Sequence, residues 1–82
     1  MSMVEVKTSQ TVDYGIDVRS IRERLNLSQV RFANKYGFNL STLRDWEQGR
    51  HPPIGAARIL ISVISNHPEI VDKVLDQTRA VG

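Results

Sequence analysis

Eighty-two residues make one small domain, and a chain of this length buries only about 60–65% of its unfolded surface, near the marginal end of independent stability. With no cysteine, neither a disulfide nor a thiolate metal site can staple it, and no run approaches the roughly 20 apolar residues that span a bilayer. The opening MSMVEVKTSQ has no basic region followed by an apolar core, so a soluble, cytoplasmic protein is expected.

The net charge of +2 is unevenly spread. Between Val18 and Arg58, eight basic side chains face Glu23, Asp45 and Glu47, for a local +5, while the flanks carry −2 and −1. A positive middle is compatible with a solvated surface and points weakly to polyanions.

Residues 1–15 hold a brief alternation, Val4-Glu5-Val6-Lys7, and then a polar stretch, which reads as a flexible leader, a partner-binding arm or a strand awaiting a partner. Residues 16–82 form the domain. Asp17 is a candidate N-cap for a first helix reaching Asn26, with Val18, Ile21, Arg22 and Leu25 at helical spacing. Ser28 caps a second, about Gln29 to Tyr36, stopped by Gly37. Asn39 caps a third, about Leu40 to Gln48, stopped by Gly49. Pro52-Pro53 breaks the chain before a fourth helix, Gly55 to Ser65, apolar over much of its circumference. Asn66-His67-Pro68 breaks it again before a last helix, Glu69 to about Arg79, to which Pro68 can contribute a first turn.

The second and third helices are joined by only Gly37-Phe38-Asn39. Two helices crossing steeply over so short a turn need a small residue at the crossing, supplied by Ala33, and one at ease with positive φ, supplied by Gly37. Phe32, Tyr36, Phe38, Leu43 and Trp46 then form an apolar underside with Ile21 and Leu25. The opposite side of the third helix, with Leu40, Ser41, Arg44 and Asp45, faces outward as a helix that fits a DNA major groove.

The residues that carry this layout also carry a resemblance. Ile21-Arg22-Glu23, Leu27-Ser28-Gln29, Ala33, Gly37, Ser41-Thr42-Leu43 and Trp46-Glu47-Gln48-Gly49-Arg50 with prolines following resemble the Cro/lambda-repressor-like, or Xre-type, helix-turn-helix domains over about residues 17–79. The proline loop, "GAARILISVI" and "HPEIV" look like the HigA-type antitoxin branch. The resemblance implies an all-α, five-helix lambda-repressor-like DNA-binding domain with a short N-terminal arm or strand. It further implies a repressor of its own operon that neutralises a RelE-like, mRNA-cleaving toxin.

By the same resemblance, Gln29 is similar to a family glutamine that binds a phosphate and braces the recognition helix. Leu40, Ser41, Arg44 and Asp45 occupy base-edge positions. Arg44 suits guanine O6/N7, Leu40 a thymine methyl and Asp45 a cytosine amino group, or else Asp45 orients Arg44 or excludes wrong sequences. Thr42, Arg50 and His51 look like phosphate contacts, with Lys35 a weaker one. Arg22 and Glu47 look like a partly buried structural ion pair between the first and third helices.

Catalysis is not expected: there is no cysteine nucleophile, glycine-rich phosphate loop or paired carboxylates, and His51 and His67 have no neighbours at metal-ligand spacing. No cofactor is expected. The last two helices hold more apolar surface than one small core can cover. Ile59, Val63, Val71 and Val74 are therefore the expected surface of a two-fold homodimer on a palindromic, double-stranded operator, the alternative being that some of that surface covers the domain's own core and the dimer forms only on DNA. Two accounts of the whole chain stay open. As an antitoxin, it docks a toxin through residues 1–15. As an autonomous Xre-type regulator with no toxin partner, it uses them as a leader, a minor-groove arm being disfavoured by their negative charge. A third, a protein-only adaptor, would show no salt-sensitive DNA binding. Either DNA-binding account places the protein on the nucleoid when it is bound.

Overall fold

The computed structural model describes residues 16–81; the leader, with its proposed arm or strand, lies outside them. Among the described residues the chain forms five helices and no strand: α1 Val18–Arg24, α2 Gln29–Tyr36, α3 Leu40–Glu47, α4 Gly55–Asn66 and α5 Pro68–Val81.

Local capping chemistry sets the first three starts. The Asp17 carboxylate accepts from the Ser20 backbone N–H at 3.1 Å and from its hydroxyl at 2.9 Å. Ser28 Oγ accepts from the Arg31 N–H at 3.1 Å. Asn39 Oδ1 accepts from the N–H groups of Ser41 and Thr42 at 2.9 and 3.4 Å. Each satisfies donors that a first helical turn leaves without intrahelical partners.

The ends of α2 and α3 are Schellman turns. Gly37 sits at φ 79°, and the Phe38 N–H reaches back to the Ala33 carbonyl at 2.8 Å. Gly49 sits at φ 77°, its N–H bonded to Trp46 O at 3.2 Å and the Arg50 N–H to Asp45 O at 2.9 Å. Helix α1 ends two residues earlier than the periodicity predicts. The Leu25 N–H turns back to Arg22 O at 3.1 Å and Asn26 enters the left-handed region at φ 59°, which asparagine tolerates. Helix α4 gains Asn66, and α5 begins at Pro68 and continues to Val81.

Helices α2 and α3 pack together, α1 packs on α3 and α4, and α4 packs on α5. The core between them is Val18, Ile21, Phe32, Ala33, Tyr36, Leu43, Ile61, Ile64 and Val71. Phe32, Leu43, Ile61 and Ile64 are fully enclosed. Aromatic contacts line the turn: Phe32 meets the edge of Tyr36 at 4.9 Å between centroids, and Phe38 meets Trp46 edge-on at 5.1 Å. Trp46 is thus part of the underside that holds α3.

Val71, expected on the dimer surface, is 8% exposed and belongs to this core. The turn of α5 that puts Val71 inward presents Ile70 and Val74 outward.

Candidate nucleic-acid interface

Helix α3 is pinned on one side and open on the other. Leu43 is buried and Trp46 half-buried, while Ser41, Thr42 and Arg44 are exposed and Leu40 and Asp45 half-exposed. Leu40 also packs partly against the core, so only part of its side chain is offered outward.

The pin at the far end of α3 is Glu47, whose side chain has no solvent exposure. Arg22 Nε donates to its Oε2 at 2.6 Å and Arg22 Nη2 to its Oε1 at 2.9 Å, a two-point guanidinium–carboxylate pair. Gln29 Nε2 donates to Oε1 at 3.1 Å, and Arg19 Nε lies 3.5 Å from the same oxygen. Burial pushes the Glu47 carboxyl up, but the hydrogen bonds from Arg22 and Gln29 outweigh it and hold the group below its ordinary range. Arg22 Nη1 also donates to the Leu27 carbonyl at 3.0 Å, tying in the α1–α2 turn. Arg19 was not foreseen in this cluster, and Gln29 was expected to brace the third helix without its partner there being named. The i, i+3 spacing of Arg19 and Arg22 on one face of α1 was the available signal.

Gln29 thereby connects the pin to the outward face. Its amide nitrogen is held by a carboxylate that can only accept, so its oxygen turns toward Arg44, whose Nε donates to it at 3.4 Å. Asp45, which the sequence reading offered as a partner for Arg44, instead accepts from Arg50 Nη1 at 3.3 Å. Arg44 is braced from α2, and Arg50 from α3. The fold therefore brings Gln29, Arg44, Asp45 and Arg50 together around α3, with Ser41 and Thr42 exposed at its start and His51 exposed on the following loop.

Lys35 is not brought to this face. Its Nζ lies 3.0 Å from Asp72 Oδ1 on α5 and 5.4 Å from the centre of the Tyr36 ring. The Asp72 hydrogen bond raises the Lys35 ammonium above its ordinary value against the opposing effect of burial. Its place in the fold is a tie between α2 and α5, and the phosphate role foreseen for it has no support in this geometry.

A second surface lies on α4 and α5. Ile59, Ile70 and Val74 are exposed by 68%, 49% and 52%, and with Ala56, Leu60, Val63 and Val71 they line an apolar groove. Among the described residues no cluster of three or more carboxylate or imidazole groups could hold a metal, and no helix is long and apolar enough to cross a membrane.

Comparison with known proteins agrees with this layout. The helix-turn-helix family model matches residues 18–69, from α1 into the start of α5. Antitoxin HigA-2 of Vibrio cholerae serotype O1 (strain ATCC 39315 / El Tor Inaba N16961) is 37% identical over 60 residues, covering 73% of this chain and 58% of that protein. The chain thus aligns with little more than half of that relative's length. No solved structure matches.

Proposed function

The chain belongs to the helix-turn-helix family, Xre type, and from that premise we propose that it is a sequence-specific repressor that binds its own promoter as a dimer and serves as the antitoxin of a toxin–antitoxin operon. The observation that carries the DNA reading is α3 itself. It is capped by Asn39, pinned by buried Glu47, and bears Ser41, Thr42 and Arg44 on its open side. A helix braced in this way presents side chains to base edges in a major groove, while Arg50, His51 and the N–H groups that open α2 suit phosphates.

The apolar groove on α4 and α5 is the proposed dimer surface, through Ile59, Val63, Ile70 and Val74. A two-fold axis there would set two recognition helices about one DNA turn apart, roughly 34–36 Å. The antitoxin half of the proposal rests on the relative, which is named an antitoxin, and on the resemblance to the HigA-type branch. It assigns the chain a RelE-like, mRNA-cleaving toxin as partner, docked by residues 1–15.

Two measurements test the proposal. Duplexes selected from a randomised library with the full chain define the site. Arg44→Ala is then expected to relax discrimination at one base pair by about 1–3 kcal/mol while other positions are still read. If Arg44→Ala binds every duplex as the parent does, the recognition surface is wrongly assigned. Co-expression with the neighbouring open reading frame is expected to yield one complex, from which deletion of residues 1–15 releases the toxin. A chain that elutes alone as a dimer and still binds its promoter is an autonomous regulator.

A further inference from the structure

We propose that Asp45 and Arg50 form an exchangeable pair that couples the reading of a base to the gripping of the backbone. A cytosine amino group takes the Asp45 carboxylate and frees Arg50 for a neighbouring phosphate. The inference rests on the reading of α3 as a major-groove helix.

Two ties bring Arg50 to the rim of that helix. The Schellman turn at Gly49 directs the Arg50 N–H onto the Asp45 carbonyl at 2.9 Å, and the guanidinium then folds over so that Nη1 donates to Asp45 Oδ1 at 3.3 Å. A cation that the loop would otherwise leave in solvent is held beside the outward face. The acid is available for a base contact because the other carboxylate of α3, Glu47, is buried and already engaged by Arg22 and Gln29.

The exposures decide that the pair can exchange. The Asp45 side chain is 34% exposed and that of Arg50 65%, and ion pairs this open to water are weakly held. On a duplex, Asp45 meets either a donor or acceptors. Cytosine offers its N4 amino group, which a carboxylate accepts; thymine O4 and guanine O6 and N7 are acceptors and repel it, while adenine sets an N7 acceptor beside its N6 amino group, so the discrimination is sharpest against thymine and guanine. Opposite cytosine, Asp45 leaves Arg50, and the guanidinium passes to a phosphate oxygen. Opposite the wrong base, Asp45 keeps Arg50, and the complex loses the phosphate contact together with the base contact. One mismatch is thereby felt twice. On unrelated DNA the pair stays closed, so Asp45 subtracts a cation from sequence-independent binding.

The test uses the full chain, a labelled duplex from the randomised selection, its base-pair-substituted versions and an unrelated duplex, each titrated between about 50 and 200 mM salt. For Asp45→Asn on the unrelated duplex, the salt slope is expected to steepen by about 0.9 per protomer, roughly a threefold larger loss of affinity across that range. Discrimination at one C·G pair is expected to fall from about tenfold to near parity. With Arg50→Ala already present, Asp45→Asn should no longer alter the slope. An equal change of slope with and without Arg50 would mean that Asp45 acts by its charge alone, and would overturn the exchange. A uniform loss of affinity on all duplexes with an unchanged slope would overturn it as well. A parent chain with no salt-dependent duplex binding would overturn the DNA reading and the exchange with it.

Discussion

Glu47 has donors from three side chains converging on a carboxylate closed to solvent, all of them on the two helices that precede α3 in the chain. Removing its charge leaves the Arg22 guanidinium, 13% exposed, without its counter-ion. Glu47→Gln is accordingly expected to lower unfolding stability by about 3–5 kcal/mol in urea denaturation, much of what a domain this small possesses. The apolar double replacement Arg22→Met with Glu47→Leu should recover most of that loss, because no buried charge is then stranded. The pH dependence has a definite sign. The carboxyl is held lower in the folded chain than its ordinary 4.5, so below that value the unfolded chain binds more protons than the folded one. The stabilisation is complete above about pH 4.5 and is lost as pH falls through the depressed folded value. Denaturation midpoints taken down to about pH 3 should decline more steeply for the parent than for Glu47→Gln, and matching acid limbs would show that Glu47 is not the group responsible.

At the scale of the helix, the starts were legible and the ties between helices were not. Asp17, Ser28 and Asn39 cap α1, α2 and α3 as their positions predict, because a cap bonds only the next two or three residues and its chemistry is entirely local. Asn39 carries the most: its Oδ1 also accepts the Ser41 hydroxyl at 2.6 Å, fixing the first turn of the helix that meets DNA in our proposal. Asn39→Ala is expected to cost about 1 kcal/mol and to lower the melting temperature by about 4–8 °C, read by circular dichroism. An unshifted melt would mean that solvent replaces the cap without cost. The partners of Lys35 and Asp45 could not be read in the same way. Lys35 meets Asp72 only because α5 packs back beside α2, a placement no local pattern encodes. Asp45 meets Arg50 because the turn at Gly49 reverses the chain, and there the sequence did hold a signal: a glycine just past the last helical residue with a basic residue after it. Arg22 and Glu47 were found through the resemblance, and Gln29 was expected to brace α3. Its position between Glu47 and Arg44 needed coordinates.

For the whole molecule, the division of apolar residues between core and surface decides what the domain does beyond folding. Periodicity located α4 and α5 but could not rank their faces, since α4 is apolar on several sides and α5 turns Val71 in while leaving Ile70 and Val74 out. The result is a core closed by Ile61 and Ile64 and, beside it, a groove in which Ile59 stands 68% exposed. An apolar strip of this kind on a small domain suits an interaction surface, and in our proposal a second copy related by a two-fold axis meets it with an identical strip. Ile59→Asp tests this without opening the core, because the side chain contributes little to the fold's own packing. In sedimentation equilibrium the parent is expected to shift from monomer to dimer with concentration, and the variant to remain monomeric with an unchanged melt. On a palindromic duplex the parent should bind about 10²–10⁴-fold more tightly than on a single half-site, since the second half-site is then engaged at high effective concentration. Ile59→Asp should bind the two duplexes alike. A parent that stays monomeric at every concentration and gains nothing from the second half-site would remove the dimer, leaving the groove to a different protein partner.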